Sequence, residues 1–558
     1  MTFSEDDINR VGDSVPGVNP VLGMNLEDIV DSLKLLLFQA YKQPRLLMLS
    51  STKFAVDAVA IASGQSAIKP LPGDRRFQNA AWRTSQFHKR LMQLYLAWCK
   101  RVEEWLGSTG LEGSDMARAQ FALQIYLSSI CPANTLASNP EAFNKAVDSK
   151  GLSLVVGLRQ FVNDIRTQGG LPSIVDPGCF TLGQNIAVTE GYVISRTEQS
   201  ELIHYSPLER SLTGTPILYV PTFLNHYYVA DLTPDVSLVR YLLRQGFQVF
   251  AISWRNPEPE HKYWGLWSYA GEVDRHVETI TNLVKCSSVH IAGVCGGGTI
   301  ASVACGKMLS RSSKRVRSLT LLNTVLDYAD EELGVLSLVN QRSKALSIRR
   351  VHKKGVLSER SVRKTFAMMS PEDSYWSFVR SSYLLGEVLP SHPLLFWASK
   401  QTNVAAQLHE DFLDIALANG LACEPGFFAD KAAICLSDVS CPVYALGSLK
   451  DHITPWEACY RNTGVFGGDV DFVLTEGGHI SPLTTKPDDK RLRYFVGGDS
   501  ASTSSNWLNS ANQVSGSWWF HWSDWLKRHS VKKLVSARAR RPDQRFAIDR
   551  APGEYAFT

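Results

Sequence analysis

"HIAGVCGGGTIAS", His290–Ser302, is an apolar run broken by a glycine-packed turn with a cysteine at its centre. The lead-in reads as a buried strand, the small residues that follow read as a closely packed helix, and Cys295 falls at the apex between them. A strand, a sharp turn and a helix with a nucleophile at the apex is the geometry of the G-x-S-x-G elbow, where the next backbone N–H faces a developing oxyanion. Here sulfur stands where serine is usual. No Lys-Ser or Lys-Thr follows the glycines, so the stretch does not read as a phosphate loop.

Working outward, β-rich runs alternate with helical ones, as a parallel α/β sheet requires. "TPILYVPT", "FQVFAISW", "SVHIAGV", "SLTLLNT", "CPVYALGS" and "VDFVLTEG" are the candidate strands. Asp451 lies just past the strand in "CPVYALGSLKDHITPW", and His479 follows Gly477 and Gly478 after the next one. Nucleophile, acid, histidine is the chain order of the α/β-hydrolase fold. A thiol needs a base to become a reactive thiolate, which points to His479, and Asp451 is placed to fix the imidazole tautomer and stabilise its charged form. His452, next to the acid, reads as structural or as a support behind the acid, with direct chemistry as the lesser alternative. The oxyanion hole is expected from the backbone N–H of Gly296 and a second N–H after "LYVPTFLNHYY". Phe223 and Leu224 are both candidates, and the sequence does not choose between them. Asn225 reads as orienting that loop or simply as a turn residue.

The first 175 residues differ in texture. "NLEDIVDSLKLLLFQAYKQP", "TSQFHKRLMQLYLAWCKRVEEWL" and "DMARAQFALQIYLSSI" carry apolar residues at helical spacing. "TQGGLPSIVDPGCF" breaks the pattern. The expected organisation is a helical domain over 1–175 and an α/β-hydrolase-type catalytic domain over 176–558, with a cap or lid inserted at about 325–440. The chain of 558 residues has 44% hydrophobic residues and a net charge of +4, which gives no reason to invoke nucleic acid. The N-terminal "MTFSEDDINR" lacks the layout of a secretory signal. The ten cysteines show neither C-x-x-C pairs nor His-Cys clusters, so no metal site is signalled.

With these residues in place, the chain resembles the poly(3-hydroxyalkanoate) synthases, and within them the single-subunit class that polymerises medium-chain-length monomers. The likeness runs from "GDRRFQNAAW" at Gly73 to the C-terminus and includes "GLSLVVGLRQFVNDIRTQGGLPS", "DHITPW", "GGHISPL" and "GSWWFHW". The family's G-x-C-x-G-G box is matched by Gly293, Cys295, Gly297 and Gly298. The resemblance implies a triad of Cys295, Asp451 and His479 and an (R)-3-hydroxyacyl-CoA substrate, with CoA as product and no separate cofactor. It also implies a cytoplasmic place on polyester granules, contact with the growing chain and with phasin-like proteins, and a homodimer when active. Two segments depart from the family: "VPTFLNH" has Thr222 for a proline and His226 for a lysine, and "FWASKQT", Phe396–Thr402, replaces a Tyr-Trp-Asn-Asn-Asp segment.

Three further features are weighed by their charge and apolar content. The basic run "SIRRVHKKGVLSERSVRK" reads as a solvated helix face or a partner for CoA phosphates. "VKKLVSARARRPDQR" reads as a solvated tail or a contact to an anionic surface. The tryptophans of "GSWWFHWSDWLKRHS" read as a helix packed on the catalytic domain. A thioesterase or polyester hydrolase on the same fold is the alternative reading, with water in place of the hydroxyl, and an inactive granule-bound partner is the third.

Overall fold

The computed structural model describes residues 26–329, 341–369, 371–422, 426–429, 432–451, 453–499, 503–532, 534–536, 542 and 547–558. His452, the N-terminal decapeptide and most of the basic tail at 531–545 lie outside them. The chain divides into two contact units. The first takes the chain up to Asp176, together with parts of the insertion ending at Ser347 and spanning Arg360–Pro390, and the second takes the rest.

The first unit is helical, as the apolar spacing predicts. Its helices include α1 (Leu26–Lys42), α2 (Pro44–Ala62), α3 (Gln86–Gly107), α4 (Gly113–Ser129) and α5 (Leu152–Gln168). Trp105 and Leu106 of α3 bury against Ala119, Leu123 and Leu127 of α4, and Leu36, Ala40 and Leu46 from α1 and α2 pack on that cluster. Burial of such stripes, more than propensity, holds helices of this length. From the insertion, the Tyr383 hydroxyl donates to the buried carboxylate of Asp164 on α5.

The second unit is built on one eleven-stranded sheet. In chain order its strands are β1 (Gly191–Arg196), β2 (Ser200–Tyr205), β3 (Ile217–Val220), β4 (Val249–Trp254), β5 (Val289–Val294), β6 (Val316–Leu322), β7 (Val443–Ser448), β8 (Val470–Thr475), β9 (Arg493–Val496), β10 (Asn512–Ser515) and β11 (Asp549–Arg550). Their spatial order is β10-β9-β8-β7-β6-β5-β3-β4-β2-β1-β11. From β8 to β4 the pairing is parallel, and both flanks are antiparallel. The parallel strands are the six that the sequence singles out. Every residue of β4, β5 and β7 is buried, the pattern of strands covered on both faces.

Register sets up the site. Val220 pairs with Gly293, Val294 with Leu322, Leu322 with Leu446, and Ser448 with Thr475. The carboxyl ends of β3, β5, β6, β7 and β8 therefore finish level, and the loops that leave them meet at one edge, where open α/β sheets bind ligands. Two helices frame this edge: α6 (Leu266–Val284) and α7 (Gly296–Ser310), the latter buried from Gly296 to Met308. The tryptophan-rich segment forms α8 (Trp518–His529), whose Trp518, Trp519, Trp522 and Trp525 are buried against the sheet side of this unit. Trp522 Nε1 donates to Thr320 Oγ1 on β6, and Trp525 Nε1 to Asp471 on β8. The packing reading of these tryptophans holds. Among the described residues no helix is long and apolar enough to cross a membrane.

The start of α7 has no room for side chains. A Cβ on Gly297 would meet the carbonyl oxygens of Val220 and Pro221 at 2.4 Å, and one on Gly293 would meet Gly298 Cα at 2.5 Å. Backbone atoms cannot swing aside. Gly297→Ala is therefore expected to destabilise the protein by about 1–3 kcal/mol or more through overpacking. Chemical denaturation reads this, and an unchanged midpoint would show that the strand and helix separate without cost.

Candidate active site

Cys295 follows β5 and precedes α7 with φ 51° and ψ −126°. A non-glycine residue at positive φ is strained and persists only where its surroundings fix it. The fixing contacts are all backbone-directed. Cys295 N–H donates to Leu322 O at 2.9 Å, and its carbonyl accepts from Gly298 N–H at 2.9 Å and from Thr324 Oγ1 at 3.2 Å. The residue thus stands at the N-terminal end of a 15-residue helix.

Asp451 follows β7. Its Oδ1 accepts the N–H groups of Ile453 (2.8 Å) and Thr454 (3.0 Å), and its Oδ2 accepts Thr454 Oγ1 and the Nδ1 of His479, each at 2.7 Å. Burial opposes the charge on this carboxylate, but the imidazole and the Thr454 donors outweigh it and hold its pKa below the ordinary value. Thr454 was not signalled as a site residue. Its clue is the D-x-x-T spacing, by which an aspartate closes a turn on its own following N–H groups.

His479 lies on the loop after β8, bound through Nδ1 to Asp451, with Nε2 left on the opposite side of the ring. Burial alone would strip its proton. The adjoining Cys295 charge, hydrogen bonds to both Asp451 and Cys295, and the Asp451 charge overcome this and raise its pKa to about 10. Imidazole and carboxylate thus form a hydrogen-bonded pair beside the sulfur, and the three residues that the sequence order singles out come together. Such an array can shuttle a proton between a nucleophile and a leaving group.

Beside it runs the loop after β3. The Phe223 ring packs so closely on Gly296 that a Cβ there would meet it at 2.5 Å. The Leu224 N–H donates to Thr222 Oγ1 at 3.3 Å. The loop is strapped by the second segment that departs from the family. Thr402 Oγ1 donates to Phe223 O (2.7 Å), Thr402 N–H to Leu224 O (3.2 Å) and Trp397 Nε1 to His226 O (2.8 Å), while Asn225 Nδ2 donates to Trp397 O (3.1 Å). Asn225 does orient the loop. The two segments that differ from the family pattern are in direct contact, and His226 is buried between them, its pKa pulled down to about 4 by burial and then by Lys400. The basic run places Arg349, Arg350 and Lys353 on an exposed helix surface.

Comparison with known proteins agrees with this fold. Residues 73–242 match the family described as the poly-beta-hydroxybutyrate polymerase N-terminus, and residues 215–485 match the alpha/beta hydrolase fold. The chain is 33% identical over 554 residues to poly(3-hydroxyalkanoate) polymerase 1 of Ectopseudomonas oleovorans, covering 99% of both chains. It is 33% identical to polymerase 2 of the same organism, over 97% of this chain and 96% of the relative. To the poly(3-hydroxyalkanoate) polymerase subunit PhaC of Cupriavidus necator it is 32% identical, over 89% and 85%.

The elevated His479 pKa yields a test. Cys295→Ala removes a neighbouring anion and a hydrogen bond, and Asp451→Asn removes the other anion, so in each variant the imidazolium should lose its proton at a clearly lower pH than in the unaltered protein. Imidazole 15N NMR across a pH series measures this. Three superimposable titration curves would mean that the charges do not sense one another.

Proposed function

The chain belongs to the poly(3-hydroxyalkanoate) polymerases, acyl-transferring enzymes, and from this premise we propose that it polymerises (R)-3-hydroxyacyl-CoA monomers of medium chain length through an acyl-enzyme on Cys295. The observation that carries the reading is the hydrogen-bonded array of His479 and Asp451 beside a cysteine at the apex of the elbow. The medium-chain preference rests on the resemblance to the single-subunit class. From the same resemblance come a site of action on cytoplasmic polyester granules, phasin-like partners there, and a homodimeric active form.

In the first half-reaction His479 Nε2 takes the thiol proton, and the sulfur attacks the thioester carbonyl of the substrate. The tetrahedral oxyanion is held by the N–H of Gly296 and, in the loop after β3, by that of Phe223, since Leu224 N–H is already engaged by Thr222. Collapse breaks the bond to CoA, whose sulfur receives the proton from His479. The product is a second thioester, so the acyl group keeps its transfer potential. In the second half-reaction a 3-hydroxyl gives its proton to His479 and attacks the Cys295 thioester. An oxoester forms and the sulfur is released. Asp451 keeps the imidazole oriented through both steps. Exclusion of water from this edge decides between polymer and free acid.

CoA release from (R)-3-hydroxydecanoyl-CoA, with polymer and free acid separated, tests the proposal. Cys295→Ala should lower turnover by roughly a thousandfold or more. Free acid as the sole product would establish the hydrolase instead, and absence of release with shorter acyl chains as well would leave an inactive partner. The strap gives a second expectation. Thr402→Val frees the Phe223 carbonyl and loosens an oxyanion donor, so kcat should fall about tenfold, less than for outright loss of a donor, with KM little changed. Wild-type kcat in that variant would remove Phe223 N–H from the oxyanion hole.

A further inference from the structure

Three consecutive residues at the end of β6, Leu322 to Thr324, between them touch the nucleophile and the histidine. Leu322 O accepts the Cys295 N–H, and Thr324 Oγ1 donates to the Cys295 carbonyl. Between them the Asn323 Nδ2 donates to the backbone carbonyl of His479 at 2.5 Å, and its Oδ1 accepts Ser448 Oγ at 3.1 Å. Ser448, the last residue of β7, lies within 3.1 Å of Thr475 Oγ1, the last of β8. Asn323 is 1% exposed, and its backbone sits at φ 46°, a conformation that asparagine tolerates better than most residues.

We propose that Asn323 is a positioning residue for acyl transfer: by clamping the His479 carbonyl to the strand that also holds the Cys295 backbone, it sets the approach of imidazole to sulfur. The elbow and the histidine loop leave different strands, β5 and β8, separated by β6 and β7. Beyond the sheet register, the Asn323 amide ties the histidine loop directly to the strand beside the elbow. The position demands one group that donates to a carbonyl and accepts from a hydroxyl on a left-handed backbone, which a primary amide on a short stem supplies. An aspartate would set a carboxylate oxygen against the His479 carbonyl. Thr324 is anchored in turn, with its carbonyl accepting Asn462 Nδ2 at 2.8 Å, so the clamp has a fixed base.

The inference rests on the proposed pairing of Cys295 with His479, and its test does not need the polymerase assay. Asn323→Gly keeps the backbone conformation and deletes the amide. The expected result is a fall of roughly ten- to a hundredfold in the rate of Cys295 alkylation by iodoacetamide at pH 7, from misplacement of the base. With an active acyl-CoA, kcat should fall to a similar extent while KM stays within about twofold of its unaltered value, since the loss lies in geometry at the reacting atoms. The imidazole 15N titration of His479 should shift to lower pH. Ser448→Ala leaves the bond to His479 but frees the other end of the amide, and a smaller change in the same direction is expected. Asn323→Gly with wild-type alkylation rate and an unmoved His479 titration would overturn the inference, whatever its thermal stability. If that variant does not fold, Ser448→Ala decides on the same two readouts. Failure of acyl-CoA turnover in the unaltered protein would sink the polymerase reading and leave both readouts informative.

Discussion

A sulfur atom stands at the apex of the turn after Val289–Val294 because the glycines around it carry no side chains where strand, helix and neighbouring loops converge. Gly293 lies against Gly298, Gly297 lies against the carbonyls of Val220 and Pro221, and a Cβ on Gly298 would fall 2.0 Å from Thr324 Oγ1. This close approach lets the carbonyls of β3 and the hydroxyl of Thr324 reach the elbow backbone. The positive φ of Cys295 is a cost that the hydrogen bonds to Leu322 and Thr324 offset. Everything else at the edge of the sheet is placed relative to that turn.

The charges follow the same logic of enforced proximity. Burial penalises both the His479 imidazolium and the Asp451 carboxylate, yet the former is pushed up and the latter held down, because each faces the other and His479 also faces sulfur. His290, by contrast, is a histidine within the quoted stretch whose burial lowers its pKa to about 3 and whose ring bonds, among the described residues, to Ser318 and Ser530. The same side chain is a charged partner at one strand end and a neutral packing element within another strand. What separates them is the nearby anions.

Much of this was legible from sequence where the signals are local. Cys295, Asp451 and His479 each sit within a few residues of a buried apolar strand and beside glycine or turn residues, so their order and placement could be read directly. The six parallel strands were legible for the same reason: they are covered on both faces and so carry unbroken apolar runs. The flanking antiparallel strands were not. Arg493–Val496 and Asn512–Ser515 are short and partly exposed, and Gly191–Arg196 carries an irregular register that blurs its alternation. Asn323, Thr402 and Trp397 were also missed, because each acts through a backbone carbonyl far away in sequence, and a carbonyl leaves no residue type to recognise. The preference for Phe223 over Leu224 in the proposed oxyanion hole rests on the Thr222 hydroxyl, which engages the Leu224 N–H and is itself one of the departures from the family.

The strap between Phe396–Thr402 and the loop over Val220–His226 bears on how such enzymes diverge and how they can be recombined. Five backbone groups of one segment or the other are satisfied across that contact, three of them by side chains. A segment that lacked the Thr402 hydroxyl, the Trp397 indole N–H or the Asn225 amide would leave a carbonyl of its neighbour without that donor. The two therefore constitute a single module for inheritance, although some 170 residues separate them in the chain, and a chimera with a junction between them would inherit half of a lock.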